Sequence, residues 1–267
     1  MFSYVPFEQL VGARFIFLEK PASVQHYGYQ LVRRTRERQY SGDYRVSYQE
    51  AVGRVGRVVA IERDVVVHLV QLEMEDSGQT YFVEAYLNSM SDLGPVADIE
   101  HAKRLYQGTT LWLRRRTPFT YDPSAASFGT VDARPFSPVR VADVVPGWYD
   151  HAPARFVLET PTGERGYIDV NMTGTNVGDI LFDGSRFDDY FFVQDPRVLY
   201  PWSDRVWSAI EDQSVFIGMT ANQARLAWGT PTSVNRTTTR SGTREQWVYG
   251  GGNYLYFQDG ILETIQN

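Results

Sequence analysis

The chain has 267 residues, of which 43% are hydrophobic and 14% aromatic, and a formal net charge of −6 at pH 7. This length is sufficient for two or three small domains, and the negative charge does not favour a nucleic-acid partner. The absence of cysteine excludes disulfides, thiol catalysis and cysteine-based zinc sites.

The N-terminal segment has none of the features of a targeting sequence. Residues 1–15 read MFSYVPFEQLVGARF, with neither a basic start nor a long apolar stretch, so we expect no signal peptide. No stretch approaches the roughly 18 apolar residues of a membrane span. We therefore expect no membrane-spanning segment.

Residues 1–105 are dominated by segments rich in β-branched and aromatic residues, as strands are. Between 57 and 87 these segments recur about every ten residues, which favours a small barrel or sandwich over alternating strands and helices. The stretch ADIEHAKRLY predicts one short helix over 97–106. The predicted strands are 13–19, 56–62, 65–74 and 80–87.

Residues 106–195 repeat this organisation, with prolines between the strands. The acidic segment 174–200, punctuated by glycine and aspartate, predicts a linker that contains an aromatic strand near 190–193. The predicted strands of this part are 109–115, 137–145, 154–160 and 165–172.

The two β-rich parts also resemble each other locally. LVGARFIFLEK (10–20) is similar to YQGTTLWLRRR (106–116), and Tyr81-Phe82-Val83-Glu84 aligns with Tyr167-Ile168-Asp169-Val170. These similarities predict a degenerate internal duplication. The alternative is coincidence between amphipathic hairpins.

Residues 196–267 read as two short helices followed by antiparallel strands. Ser203 can begin a helix that runs to about 212. Thr220 and Gln223 form a capping-box pattern, and Gly229 with Pro231 ends the second helix. Asp259-Gly260 predicts a tight hairpin turn. Strand-like segments lie at 233–239, 244–250, 254–258 and 261–266, which we interpret as a three-stranded meander covered by the helices.

This C-terminal part resembles the small domain of the SmpA/OmlA (BamE-like) outer-membrane lipoprotein family. The resemblance covers about a quarter of the chain and implies structural roles for most of the matching residues. It implies a cell-envelope or periplasmic protein that holds partners together without catalysis, whereas a native N-terminus implies the cytoplasm. The chain departs from the family because it has no lipobox cysteine and carries a large β-rich part. The matching residues are Ile217, Gly218, Met219, Thr220, Gln223, Gly229, Pro231, Trp247 and Tyr249.

Strand number and spacing in the N-terminal part are similar to those of tandem SH3-like barrels, which usually bind peptides, glycans or partner proteins. The predicted fold is therefore mainly β with a C-terminal α+β module. We expect a first SH3-like domain at 1–105, a second with the acidic linker at 106–195, and the BamE-like domain at 196–267.

The aromatic residues are the best candidates for a binding site. The chain has 17 Tyr, 15 Phe and 6 Trp, and core packing is the favoured interpretation for any one of them. We expect some to stay exposed and line a groove, as interface anchors do. The candidates are Trp112, Tyr121, Trp148, Tyr149 and Tyr167.

No residues are assigned to catalysis, metal binding or a cofactor. The four histidines are dispersed, and the acidic run at 183–189 lacks the spacing of a calcium loop, so we interpret it as a solvated turn. Glu84 and Asp169 are available as carboxylates for glycoside hydrolysis, but nothing in the sequence marks them as a pair.

The favoured function is a non-enzymatic binding or scaffold protein with a protein partner. The first alternative is binding or hydrolysis of a glycan or cell-wall polymer by the β modules. The second is binding of an anionic polymer or nucleic acid through residues 33–57, where Arg33, Arg34, Arg36, Arg54 and Arg57 are interleaved with tyrosines and acidic residues.

Overall fold

A computed structural model describes residues 4–37, 45–63, 67–114, 118–122, 127–176 and 186–267. The protein is mainly β, with 44% strand, 22% helix and antiparallel sheets, which confirms the predicted fold class at this level. The chain forms two compact units, residues 1–193 and residues 194–267. Among the described residues, no helix is long and apolar enough to cross a membrane.

The first sheet is antiparallel and has the strand order β3-β2-β6-β5-β4-β1-β7. Alternate side chains point into its core, where Phe15, Phe17, Leu72, Tyr81 and Val83 are fully buried. A four-residue helix, α1 (Tyr48–Ala51), precedes β4. The strands are β1 (Arg14–Phe17), β2 (Tyr29–Arg33), β3 (Arg45–Val46), β4 (Val55–Glu62), β5 (Val67–Met74), β6 (Thr80–Tyr86) and β7 (Leu93–Pro95).

Helix α2 (Val96–Tyr106) follows β7, where the sequence predicts a helix over 97–106. Its buried residues Ile99 and Ala102 belong to the core of the second sheet, not the first. The predicted domain boundary at 105/106 thus falls at the end of a helix whose buried side chains pack against the second sheet, which follows it in sequence. Because both sheets lie in one compact unit, their separation into two domains stays a prediction.

The second sheet has the strand order β10-β9-β13-β12-β11-β8-β14. The aromatic strand predicted near 190–193 is present as the edge strand β14, and helix α3 (Phe187–Tyr190), which was not predicted, precedes it. The aromatic side chains of this segment are buried in the core of the second sheet. The strands are β8 (Thr110–Leu113), β9 (Phe119–Asp122), β10 (Ser127–Thr130), β11 (Pro138–Tyr149), β12 (Ala152–Glu159), β13 (Arg165–Val170) and β14 (Phe191–Phe192).

The two sheets have the same topology, strand for strand. Each strand from β8 to β14 occupies the place of the strand seven positions earlier, and every pairing within one sheet has its counterpart in the other. Counted from the hairpin pairs Glu73↔Thr80 and Glu159↔Arg165, Tyr167 is equivalent to Phe82. The alignment of Tyr167 with Tyr81 is therefore wrong by one residue, since Tyr81 is buried in the core and Tyr167 lies on the outer face.

Residues that follow β13 join the two sheets through buried hydrogen bonds. The Asn176 side chain accepts from the Met90 amide at 2.7 Å and donates to the carbonyls of Met90 and Leu93 at 2.9 and 2.8 Å. Thr173 donates from its hydroxyl to Asp98 of α2 at 2.5 Å. Gly94 on β7 allows close approach here, because a Cβ would lie 3.0 Å from Pro153 of β12.

The C-terminal unit contains three short helices and one four-stranded sheet. The prediction of three strands is wrong: β15 pairs with β16 at seven consecutive positions although all its residues are exposed, so main-chain pairing holds it. The helices are α4 (Pro196–Leu199), α5 (Asp204–Glu211) and α6 (Ala221–Trp228), and the strands are β15 (Ser233–Thr239), β16 (Gly242–Val248), β17 (Tyr254–Gln258) and β18 (Ile261–Gln266).

The local signals of this unit are confirmed. Thr220 and Gln223 form the expected reciprocal capping box at the start of α6. Gly229 follows the helix with a φ of 91°, and Asp259 and Gly260 form the predicted turn with positive φ at both positions. Ser203 stands at the N-cap of α5, but its hydroxyl makes no capping bond.

Candidate binding site

Polar and aromatic side chains converge on the outer face of the second sheet, and we call them the aromatic–arginine cluster. The residues come from β9, β10, β11, β12 and β13, so five strands position them. The cluster consists of Phe119, Phe128, Trp148, Arg155, Tyr167 and Asp169.

The base of the cluster is a buried ion pair. Arg155 donates from Nε and one terminal nitrogen to the two Asp169 carboxylate oxygens, both at 2.7 Å. The side chains are only 11% and 9% exposed. A bidentate pair with this little access to water fixes both side chains.

Aromatic rings cover the ion pair. The Arg155 guanidinium lies 4.2 Å from the centre of the Trp148 ring and 3.8 Å from that of Tyr167. Phe119 and Phe128 extend the cluster, at 6.4 Å from Tyr167 and 5.9 Å from Trp148. Phe128 is 55% exposed and Phe119 is 37% exposed, so the outer part of the cluster is an accessible apolar surface.

Two features of the local sequence bring these strands together. Gly166 on β13 lets the β9–β10 hairpin pass close by, because a Cβ would lie 2.7 Å from Val131 and 2.9 Å from the Phe119 carbonyl oxygen. Strand β11 has 12 residues, whereas its equivalent β4 has 8. This extension carries Trp148 over Arg155.

The structure brings together two of the five predicted binding residues, Trp148 and Tyr167, whose ring centres are 6.0 Å apart. Trp112 is half-buried on β8 and pairs with Pro138 and Phe192, outside the cluster. Tyr121 and Tyr149 lie on β9 and β11, and their side chains are outside the described part of the protein.

Sequence reasoning missed four members of the cluster as binding-site residues. Phe119 and Phe128 lie on strands that were not predicted, Arg155 comes from a segment predicted only as a strand, and Asp169 was considered only as a carboxylate for hydrolysis. Arg155 could have indicated the site from sequence, because it is a charged residue within the apolar run ARFVLE and a buried cation needs a partner.

The cluster is suited to contacts with apolar groups. Arg155 directs its donors at Asp169 and packs its planar face on aromatic rings, so its charge is neutralised within the protein. A phosphate or carboxylate ligand would have to compete with Asp169. The accessible rings of Phe119 and Phe128 instead offer stacking and hydrophobic contact.

The two carboxylates considered for hydrolysis are on different sheets. Glu84 lies on β6 and forms a buried ion pair with Arg33, at 3.2 Å between Nε and the carboxylate, and Asp169 pairs with Arg155. This arrangement places each carboxylate beside its own cation and gives no support to a shared acid–base site.

The arginines of segment 33–57 give no support to an anion-binding surface either. All five form ion pairs with acidic side chains of the first sheet, of α1 or of the turn between β5 and β6. Their charge is thus largely balanced within the protein. The pairs are Arg33–Glu84, Arg34–Glu50, Arg36–Glu62, Arg54–Asp76 and Arg57–Glu75.

Metal-ligating groups do not converge in the part of the chain that the structure describes, where no three His, Asp or Glu side chains could hold one ion. Of the acidic run at 183–189, residues 183–185 lie outside the described residues, and Asp188 and Asp189 are in α3.

Most of the residues that carry the resemblance in the C-terminal unit contribute to its packing, whereas Ile217 is 64% exposed. Met219 and Trp247 are fully buried, and the Tyr249 hydroxyl donates to the Gly229 carbonyl at 3.0 Å. Gly218 has a φ of 97° and its amide donates to Leu262 of β18. Pro231 is buried after α6. These positions build the fold and do not form a ligand site.

Among the described residues of 1–193, the geometry thus favours the aromatic–arginine cluster as the candidate binding surface. No known protein family, curated protein or solved structure matches the chain.

Proposed function

We propose that the protein is a non-enzymatic binding or scaffold protein, and that the aromatic–arginine cluster holds an extended apolar or proline-containing segment of a protein partner. The observation that carries this proposal is the pair of accessible rings, Phe119 and Phe128, on a base fixed by the buried Arg155–Asp169 ion pair. Rigid aromatic anchors of this kind bind at a low entropic cost.

The chemistry of the surface favours this class of ligand. Proline-rich and apolar segments bind to grooves lined by aromatic side chains, because the rings pack against the ligand without a need for charge. Arg155 is neutralised by Asp169, which disfavours an acidic or phosphorylated segment. The partner is therefore recognised by shape and apolar contact.

We also propose that residues 1–193 hold two SH3-like barrels, and the topology of the two sheets supports this. In each sheet the first strand pairs with the fourth and the seventh, the fourth to sixth strands form a meander, and a small hairpin separates the first from the fourth. The cluster lies where that hairpin meets the meander. We propose that the C-terminal unit is BamE-like and that the protein acts in the bacterial cell envelope.

Selection from a library of short random peptides displayed on phage, with the full chain as bait, tests the proposed function. We expect enrichment of peptides rich in proline or aromatic residues. Phe128→Ala should weaken their binding at least about tenfold, because the ring is mostly exposed and its loss leaves the fold intact. The matched control is Val198→Ala, which removes an exposed apolar side chain from α4 in the other unit.

Two results contradict the proposal. One is the absence of enriched peptides under conditions where the chain is folded. The other is enrichment of peptides that bind Phe128→Ala and the unchanged chain equally well, since these would bind elsewhere.

A further inference from the structure

The outward face of the C-terminal sheet forms a concave surface, which we call the polar cleft. It has a volume of about 600 Å³ and is open to solvent. Side chains from all four strands line it, on the face opposite to the buried Trp247 and Leu255. Its polar lining includes Asn235, Thr237, Gln246, Tyr256, Thr264 and Gln266.

Side-chain hydrogen bonds order a row of these groups across the sheet. Asn235 donates to Gln246 at 3.0 Å, and Gln246 donates to the Tyr256 hydroxyl at 3.1 Å. The Tyr256 hydroxyl donates to Gln266 at 2.9 Å. The row runs from β15 to β18, so the groups are held in place before any ligand arrives.

The row keeps capacity for further hydrogen bonds. An amide side chain has two N–H donors and a carbonyl oxygen with two lone pairs. Gln266 uses only an acceptor in the row, and Asn235 uses only a donor. Both amides can therefore donate to and accept from a ligand at the same time, as the hydroxyl groups of a sugar require.

The charge of the cleft is balanced. Arg244, Glu245 and Glu263 line it, and Glu245 is paired with Arg236 at 2.6 Å, which leaves one positive and one negative side chain. Arg244 is also hydrogen-bonded to Gln258 at 2.9 Å. A charged ligand would gain little from such a surface, whereas a neutral ligand has no electrostatic penalty.

Tyr256 is the accessible aromatic ring in the lining of the cleft, because Phe257, which also lines it, is only 2% exposed. Tyr254 and Tyr256 lie on the same face of β17, with ring centres 6.5 Å apart. A Tyr ring has an apolar body and a polar tip, which suits the C–H face of a sugar ring. The lining of the cleft has no tryptophan, leucine or methionine, and its one phenylalanine is buried, although protein interfaces use large apolar anchors at their centres.

We propose that the polar cleft binds a neutral oligosaccharide, with the amide row as the hydrogen-bonding partner of its hydroxyl groups and Tyr256 as its stacking surface. This site is in the C-terminal unit and is independent of the aromatic–arginine cluster, so either site can be present without the other. It gives the protein a glycan ligand in addition to the protein partner proposed above.

Titration of the ¹⁵N-labelled full chain with maltohexaose, cellohexaose and chitohexaose, followed by NMR, tests this inference. We expect saturable shifts at amides of β15 to β18 with at least one of these sugars, with a dissociation constant at or below about 1 mM. Gln246→Ala should weaken binding at least about fivefold, because it breaks the amide row at its centre.

Two further variants, a second substitution in the amide row and a control outside the cleft, show whether a loss of binding is specific to the cleft. Gln266→Ala removes an exposed side chain at the end of the row and cannot disturb the core, and we expect it also to weaken binding. Asn222→Ala is the matched control, an exposed amide on α6 away from the cleft, and should bind as the unchanged chain does.

The inference is overturned if none of the three sugars gives saturable shifts in the C-terminal sheet. It is also overturned if Gln246→Ala and Gln266→Ala both bind with unchanged affinity, or if a peptide and not a sugar saturates the cleft.

Discussion

The two sheets of residues 1–193 hold a carboxylate at the same place but neutralise it from different strands. Counted from the β5–β6 and β12–β13 hairpins, Glu84 and Asp169 are equivalent. The first pairs with Arg33 of β2 and the second with Arg155 of β12, and both pairs are buried. A buried carboxylate needs a cation, but the fold offers two neighbouring strands that can supply it.

The registers show an exchange of residue types around this carboxylate. Arg33 lies opposite Phe82 in the first sheet, and Phe119 lies opposite the equivalent Tyr167 in the second. Leu69 lies opposite Glu84, as Arg155 lies opposite Asp169. In the first sheet the arginine is on β2 and the apolar residue, Leu69, is on β5. In the second sheet the apolar residue, Phe119, is on β9 and the arginine is on β12.

This exchange explains why only the second sheet carries the candidate site. When the cation comes from β12, the place on β9 is free for Phe119, which joins the accessible aromatic surface. When the cation comes from β2, that place holds Arg33, and an apolar surface there is lost. The strand that supplies the arginine therefore decides whether the outer face of the sheet carries an accessible aromatic surface.

The largest expected effect comes from Arg155→Leu, which gives the second sheet the residue found at position 69 of the first. Loss of the cation leaves Asp169 buried and unpaired, so unfolding of residues 1–193 should become easier by about 3–5 kcal/mol. Hydrogen exchange of peptides from β12 and β13 measures this change.

Addition of Phe119→Arg to Arg155→Leu should restore a substantial part of the lost stability, because it copies the arrangement of Arg33 and Glu84. Phe119→Arg alone is the control and should not stabilise the protein. If the double variant is no more stable than Arg155→Leu, the two carboxylate sites are not interchangeable in this way.

A smaller effect on stability is expected for Asp98, which lies where the two sheets are joined. Burial raises the pKa of Asp98 to about 6, and the hydrogen bond from Thr173 lowers it only in part. Because its pKa is higher in the folded than in the unfolded protein, Asp98 stabilises the folded state more when it is protonated than when it is charged. The free energy of unfolding should therefore fall as pH rises from about 4 to about 6, and then level off.

Asp98→Asn should remove this pH dependence, because the amide can still accept from Thr173 and carries no charge. At pH 7 the variant should be more stable by up to about 3 kcal/mol, with no gain at pH 3. Urea unfolding at both pH values measures the difference. An equal effect at pH 3 and pH 7 would show that the charge of Asp98 is not the cause.

The smallest effect on stability is expected for the surface pair Arg54–Asp76, which lies just before β4 and just after β5. Hydrogen bonds from Arg54 hold the pKa of Asp76 at about 2, yet Asp76 is exposed to solvent. Its lowered pKa stabilises the fold above the ordinary value of 3.8, and this contribution is lost as pH falls towards about 2. Solvent screening keeps the contribution small, so Asp76→Asn should hardly change the melting temperature.

NMR titration of the Asp76 carboxyl tests this contrast directly. We expect a midpoint near 2 in the unchanged chain and a return towards 3.8 in Arg54→Gln. A large loss of stability in Asp76→Asn would mean that this exposed pair contributes as much as the buried Arg155–Asp169 pair.

Much of the fold could be predicted from local patterns. The helix at Val96–Tyr106, the capping box at Thr220 and the turn at Asp259-Gly260 depend on residues that are neighbours in sequence. Strands β2, β3, β9 and β10 escaped prediction because they are short or lack clear alternation, and main-chain pairing with distant strands holds them.

The candidate site was predictable only in part. Aromatic content predicted a groove, and two of its five candidates, Trp148 and Tyr167, lie together in the cluster. The place of Trp112 outside the cluster depends on its pairing with Phe192, some 80 residues later, and no local pattern carries that information.

The sequence by itself determined the β-rich class, the helix boundaries with caps, and the likeness of two successive parts of the chain. Only the tertiary structure decided the register of β6 and β13, the choice of Arg33 or Arg155 as counter-ion, and the accessibility of Phe119 and Phe128. The reason is physical: caps and turns arise from bonds between near neighbours, whereas a buried charge finds its partner across strands that only folding brings together.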